Sequence, residues 1–216
     1  MDSSFNSVIA FLELIYLFAL PAVMLYILRR KRNGKIIPAV CGFVGYMFLS
    51  FIRALFWMIV PAGAMSNALL SGIIEECGKF LIMNYLINSY DTPEDSVSYG
   101  IGHGGSELIL ANAALMLNDM LTGDKIPGGI LEILEAANSM VGHIALTMLV
   151  YIAVHYRDSR KFLFYAVLIH TASDFIRAVL VLNIDSVPCF ILYIIVPYLF
   201  TAGTMILAHK CIKDTY

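Results

Sequence analysis

Long apolar runs make up most of this chain, broken by short polar stretches. A helix that crosses a bilayer needs about 20 mostly apolar residues. About seven segments meet that length, at 8–28, 36–60, 67–88, 98–120, 139–156, 162–183 and 187–208. The stretches between them are short except at 122–139, TGDKIPGGILEILEAANS, where Pro127, Gly128 and Gly129 precede a brief apolar run carrying Glu132 and Glu135. That pattern predicts an external loop with an interfacial or re-entrant helix. The whole pattern predicts an all-α polytopic membrane protein, one integral domain over 1–216 with a motif-bearing core at about 67–183.

Composition strengthens this reading. Of 216 residues, 60% are hydrophobic and 14% charged, against about 25% charged in a soluble domain. The balance of 14 Lys+Arg and 16 Asp+Glu leaves no basic patch for nucleic acid. Cys41, Cys77, Cys189 and Cys211 lack metal-type spacing and read as packing residues.

Charge position adds orientation, because Lys and Arg accumulate on the cytoplasmic side. Arg29, Arg30, Lys31, Arg32 and Lys35 follow the first segment, Arg157, Arg160 and Lys161 the fifth, and Lys210 and Lys213 the last. With seven alternating spans these share one side, and Lys125 stands alone on the other. The N-terminus is expected outside and the C-terminus in the cytoplasm. The opening MDSSFNS lacks the basic region of a secretory signal, so the first segment is expected to be a retained span.

The polar residues inside these segments change the picture most. An ionisable group at the bilayer centre costs about 3 kcal/mol, so such groups usually face the protein interior and serve function. The third segment has Glu75, Glu76 and Lys79, the fourth His103 and Glu107, the fifth His143, and the sixth His170, Asp174 and Arg177. Glu75 with Lys79, His103 with Glu107, His143 with Thr147, and His170 with Asp174 are each spaced i, i+4, on one helical face. Depth counted at about 1.5 Å per residue puts Glu75, Glu107, His170 and Asp174 near the midplane, His143 nearer the outside and His103 nearer the cytoplasm. A shared polar intramembrane active-site cavity follows. Gly100 and Gly104 form a small-xxx-small pair that brings the fourth helix close to a neighbour.

Structural readings stand beside these. Glu76 and Lys79 could form a self-neutralising buried pair. Arg53 and Arg177 read as counter-charges or snorkelling residues. Glu13, His155 and His209 read as interfacial. Chemically, Glu and His in such a cavity suit activation of water, directly or through a metal, and would equally suit a proton or ion path. The chain contains no H-E-x-x-H, no G-x-S-G and no G-x-G-D aspartate pair.

The order EECGK, GIGHGGSE, GHIALT, HTASDF resembles the superfamily of CAAX-processing and bacteriocin-processing membrane proteases, which includes PrsW-type proteases, and within it the YhfC-like branch. The resemblance implies an intramembrane endopeptidase of the bacterial cell membrane that acts on a membrane-embedded or lipid-anchored peptide or protein. By position it implies that Glu75, tuned by Glu76, activates water held also by Glu107 or His143, while His170, oriented by Asp174, stabilises the oxyanion. His103 stands where relatives often have an aromatic residue, so it is either an extra catalytic group or a structural substitute. No cofactor is certain from the motifs. A metal, Zn²⁺ being the candidate, would take Glu75, Glu107, His143 and His170. The metal-free glutamate route is favoured slightly, because adjacent helical carboxylates diverge and chelate poorly. The alternatives are an ion-coupled transporter, weakened by the absence of inverted repeats, and a non-catalytic peptide-binding or immunity protein.

Overall fold

The computed structural model describes the backbone of residues 3–61, 63–122, 130–156, 159–183 and 185–213, and their side chains except at 3–11, 13 and 111–133. Glu13, Lys125, Glu132, Pro127, Gly128, Gly129 and Arg157 therefore lie, wholly or by their side chains, outside the described residues. Seven α-helices follow one another: α1 (Ser3–Arg32), α2 (Ile36–Trp57), α3 (Ala64–Leu81), α4 (Pro93–Thr122), α5 (Ile130–His155), α6 (Lys161–Val181) and α7 (Val187–Lys213). A π-helical turn, Ile82–Leu86, extends α3. No strand occurs among the described residues.

Local chemistry explains several boundaries. Asn33, with φ 57°, sits in the left-handed region just past α1, a conformation Asn tolerates better than other side chains. The start of α4 is set by Thr92, whose Oγ1 accepts from the Asp95 amide at 3.2 Å. Pro93 opens the helix, and Glu94 and Asp95 fill its first turn, where acids complement the helix dipole. Of the external loop with an interfacial or re-entrant helix expected at 122–139, residues 123–129 lie outside the described residues. Residues 130–139 begin α5, which runs unbroken to His155, because the stretch ILEILEAA after Gly129 is rich in good helix formers.

The bundle is polar inside and apolar outside. Glu75, Glu76, Lys79, Asp95, His103, His143 and His170 are buried, while Phe48, Phe51, Phe164, Leu199 and Ile206 are exposed. Water would reverse this distribution, whereas hydrocarbon favours it. Among the described residues, Ile36–Trp57, Leu134–His155, Lys161–Val181 and Val187–Lys213 are long and apolar enough to cross a bilayer.

Helix α4 packs on α1, α2 and α5, α3 packs on α6 and α2, and α5 packs also on α6 and α7. Glycines make the α4 contacts possible. A Cβ at Gly102 would collide with the Ala39 carbonyl of α2, and one at Gly100 would lie 2.7 Å from the Ile144 Cα of α5. Gly104 likewise faces Met140 and His143, so the Gly100/Gly104 pair seats α4 on α5 as its spacing predicts. Lys35 bonds Asp95 at 3.1 Å, and Tyr151 Oη donates to the Asp91 carbonyl at 2.5 Å. These contacts gather the α1–α2 link, the start of α4 and the end of α5 at one end of the bundle.

Candidate functional site

Four helices bring the predicted residues to one place. The His103 ring lies 5.2 Å from that of His143, which lies 5.3 Å from that of His170. The separate depths expected for His103 and His143 therefore converge.

Glu75, on α3, is enclosed by three partners. Oε1 accepts from Arg53 Nη1 and from Ser71 Oγ, the latter at 3.1 Å. Oε2 faces His103 Nε2 at 3.2 Å. His103 also packs edge-on against Tyr46 and stacks with Tyr99. Arg53 donates to Ser71 Oγ at 2.8 Å and lies over the Trp57 ring, its Cζ 5.2 Å from the centroid. Its role at Glu75 was invisible in the sequence, because α2 supplies no local motif and Arg53 lies 22 positions from its partner.

Glu76 points the other way, as adjacent helical residues must. Its Oε1 accepts from Lys79 Nζ at 2.7 Å and lies 2.7 Å from His170 Nδ1, while Oε2 is buried without a partner. Lys79 Nζ also lies 3.3 Å from His143 Nδ1, and His143 Nε2 contacts Glu107 Oε2. As an ammonium Lys79 has only donors, which assigns the lone pair of His143 to Nδ1 and its proton to Nε2, the nitrogen beside Glu107.

Of the four i, i+4 pairs, only His170 and Asp174 meet side chain to side chain, at 3.4 Å. Lys79 bonds Glu76, His103 bonds Glu75, Glu107 bonds His143, and Thr147 Oγ1 donates to the His143 carbonyl at 2.7 Å. The firmest hold on His170 comes from Glu76, not Asp174. Interior side chains reach across to neighbouring helices, where a buried polar group finds its nearest complement.

A cavity of about 60 Å³ opens beside this cluster, lined by Glu107, Asn138, His143, His170, Asp174 and Arg177 among others. A larger chamber of about 370 Å³, between α2, α3 and α6, shares Asp174 and Arg177 with it. Glu107 is 31% exposed, whereas Glu75 is 3% exposed and lines neither space. At the rim, Arg177 bonds Glu135 at 3.3 Å, and Tyr193 Oη donates to Glu135 at 2.8 Å.

A metal fits the donor chemistry. Glu75, His143 and His170 each offer one ligand atom, all within 4.8 Å of one another. One carboxylate and two imidazoles make the three-ligand set of many catalytic zinc sites. Each imidazole is also held by a buried carboxylate, Glu76 or Glu107, as outer-sphere partners commonly hold metal-binding histidines. Glu107, the fourth ligand expected from sequence, bonds His143 rather than joining the three-donor group.

Residues 56–129 match a family model described as YhfC intramembrane metalloprotease. That segment includes Glu75, Glu76, Lys79, His103 and Glu107, and stops short of His143, His170 and Asp174. The chain is 33% identical over 66 residues to a protein of Bacillus subtilis (strain 168) called "Uncharacterized membrane protein YhfC". The matched stretch is 31% of this chain and spans about a quarter, 26%, of that relative. No solved structure is significantly similar. The chain is thus an all-α integral membrane protein that is YhfC-like over the segment holding the first half of its buried polar cluster.

Proposed function

We propose that this protein is an intramembrane endopeptidase that hydrolyses a peptide bond of a membrane-embedded or lipid-anchored protein. The observation that carries the reading is the buried Glu75/His143/His170 donor group set beside a cavity lined by Glu107, His170 and Asp174. Glu75, His143 and His170 would hold the metal, with Zn²⁺ the natural ion for this set. When bound, such an ion supplies Lewis-acid polarisation of a carbonyl and activation of water.

The chain's own groups supply the rest. Glu107 is the base in this reading, because it reaches the cavity while both oxygens of Glu75 are engaged. Glu107 takes a proton from water as the oxygen attacks the scissile carbonyl carbon. It returns that proton to the amine nitrogen as the C–N bond breaks. Arg177 and Asn138 line the same cavity and offer N–H donors to the oxyanion. Glu76 holds His170 through Nδ1 at 2.7 Å, so Nε2, which has only the longer 3.4 Å contact with Asp174, is the nitrogen that would serve the metal. Glu76 orients His170, and Arg53 with Ser71 holds Glu75. His103 fixes the other oxygen of Glu75. The 370 Å³ chamber adjoining at Asp174 and Arg177 gives room for substrate flanking the reacting bond.

The protein acts, on this reading, as one domain in a bacterial cell membrane with its N-terminus outside. The basic last turns of α1 and α7 then face the cytoplasm. The test is cleavage of a membrane-peptide library by the purified protein in nanodiscs. Glu107→Gln should lower the rate by about 10²-fold or more, and chelation should abolish cleavage until Zn²⁺ is returned. Cleavage that persists after verified metal removal would sink the metal and leave a glutamate-only route. No cleavage by a folded protein across diverse peptides would sink the protease reading itself.

A further inference from the structure

We propose that Lys79 is a resident cation of the donor group, occupying the His143 Nδ1 position that the metal takes, and that metal binding moves its ammonium onto Glu76 Oε2. This inference rests on the metal reading above.

The argument starts from one lone pair. Lys79 Nζ stands 3.3 Å from His143 Nδ1 and as an ammonium can only donate, which assigns the ring's one lone pair to Nδ1 while Nε2 lies against Glu107 Oε2. A zinc ion bonds imidazole nitrogen at about 2.0–2.1 Å along the same direction. An ammonium at 3.3 Å would then lie far inside contact distance of the ion, so the two exclude each other. Charge adds to the exclusion, because Lys79 is fully buried and has no water to screen it.

A displaced lysine also needs somewhere to go. Glu76 Oε1 already serves Lys79 and His170, but Oε2 is buried with no partner. A buried carboxylate oxygen left unpaired is costly, and this one belongs to the residue that Lys79 already holds. Rotation about the end of the lysine side chain would exchange His143 Nδ1 for Glu76 Oε2 while keeping the ion pair. Without metal, Lys79 neutralises Glu76 and caps the lone pair of His143. With metal it remains paired, and His143 is released as a ligand still oriented by Glu107.

The experiment is Zn²⁺ binding by the full chain in nanodiscs, measured by calorimetry and by elemental analysis after dialysis. Lys79→Met removes the competitor and should tighten binding about tenfold. Glu107→Gln removes an outer-sphere partner and should weaken it about tenfold. His143→Ala should erase the gain from Lys79→Met in the double variant. Unchanged or weaker binding in Lys79→Met overturns the proposal, and so does tighter binding in Glu107→Gln, which would assign Nε2 to the ion. If neither wild type nor Lys79→Met binds stoichiometric Zn²⁺, both this inference and the metal reading fail. Peptide cleavage by the same samples reports separately on the protease reading.

Should Lys79→Met fail to fold, the wild-type chain carrying ¹⁵Nζ-lysine decides the question. The buried ammonium gives slowly exchanging protons that Lys79→Arg identifies. Zn²⁺ should shift that resonance in wild type and leave it in place in His143→Gln. An unmoved resonance at saturating Zn²⁺ overturns the proposal.

Discussion

Of the networks that join carboxylates to cations in this bundle, two differ sharply in what surrounds them. The inner one links Glu76, Lys79 and His170, with side chains 0–6% exposed. The outer one links Arg177, Glu135 and Tyr193 at the rim of the cavity, where the ion-paired side chains are 29% and 31% exposed. Their distances are similar, 2.7 Å inside and 2.8 to 3.3 Å outside. Geometry alone would rank them together. Solvation separates them, because a charge that loses its partner inside has nothing else to bind, whereas one at the rim can turn to water or headgroups.

The largest effect should come from Glu76→Ala. It takes the carboxylate from the Lys79 ammonium and from His170 Nδ1, leaving them His143 and Asp174, and a broken buried pair costs about 3–5 kcal/mol. Thermal unfolding in detergent reads this directly, and a loss below about 1 kcal/mol would erase the distinction between the networks. His103→Phe comes next. Phenylalanine keeps the contacts with Tyr46 and Tyr99 but removes the bond to Glu75, a charged bond worth about 1.5–3 kcal/mol. Retained folding with that modest loss would make His103 structural, whereas loss of cleavage out of proportion to stability would make it part of the chemistry.

Gly100→Val tests packing without touching a polar group. Its side chain would press on Ile144 and should cost about 1–3 kcal/mol. It should also loosen the seating of Glu107 against His143, seen as weaker Zn²⁺ binding than the stability loss alone explains. Glu135→Gln should do least, with a stability change of about 0–1 kcal/mol. A loss as large as that of Glu76→Ala would show that the rim is as dry as the interior.

Much of the site was legible one helix at a time. Glu75, Glu76, His103, Glu107, His143, His170 and Asp174 all stand out because a charge or imidazole inside an apolar run demands an explanation. Their partners were less legible. The i, i+4 spacing put each pair on one helical face, yet His103 and Glu107 reach to neighbouring helices, Lys79 turns to Glu76 on its own, and only His170 and Asp174 meet by their side chains. Arg53 read as a counter-charge or a snorkelling residue, and the α2–α3 packing makes it the counter-charge of Glu75, a partner the sequence did not name. The start of α4 was available from the Thr92-Pro93-Glu94-Asp95 cap, which a count of apolar residues passes over. The short helix expected within 122–139 is the start of α5, because a run of helix formers shows where a helix can form and cannot show that it continues into the next apolar segment.

By itself, then, the sequence determined that the chain is helical, that it belongs in a bilayer, and which residues pay the penalty of polarity there. These follow from composition and spacing, which act locally. Only the tertiary structure decided that Glu75 is enclosed while Glu107 reaches the cavity, that Glu76 holds His170, and that Lys79 stands at His143. Those outcomes depend on which helix faces meet. That is set by glycine contacts and by the need of every buried polar group for a partner, across separations no local pattern encodes.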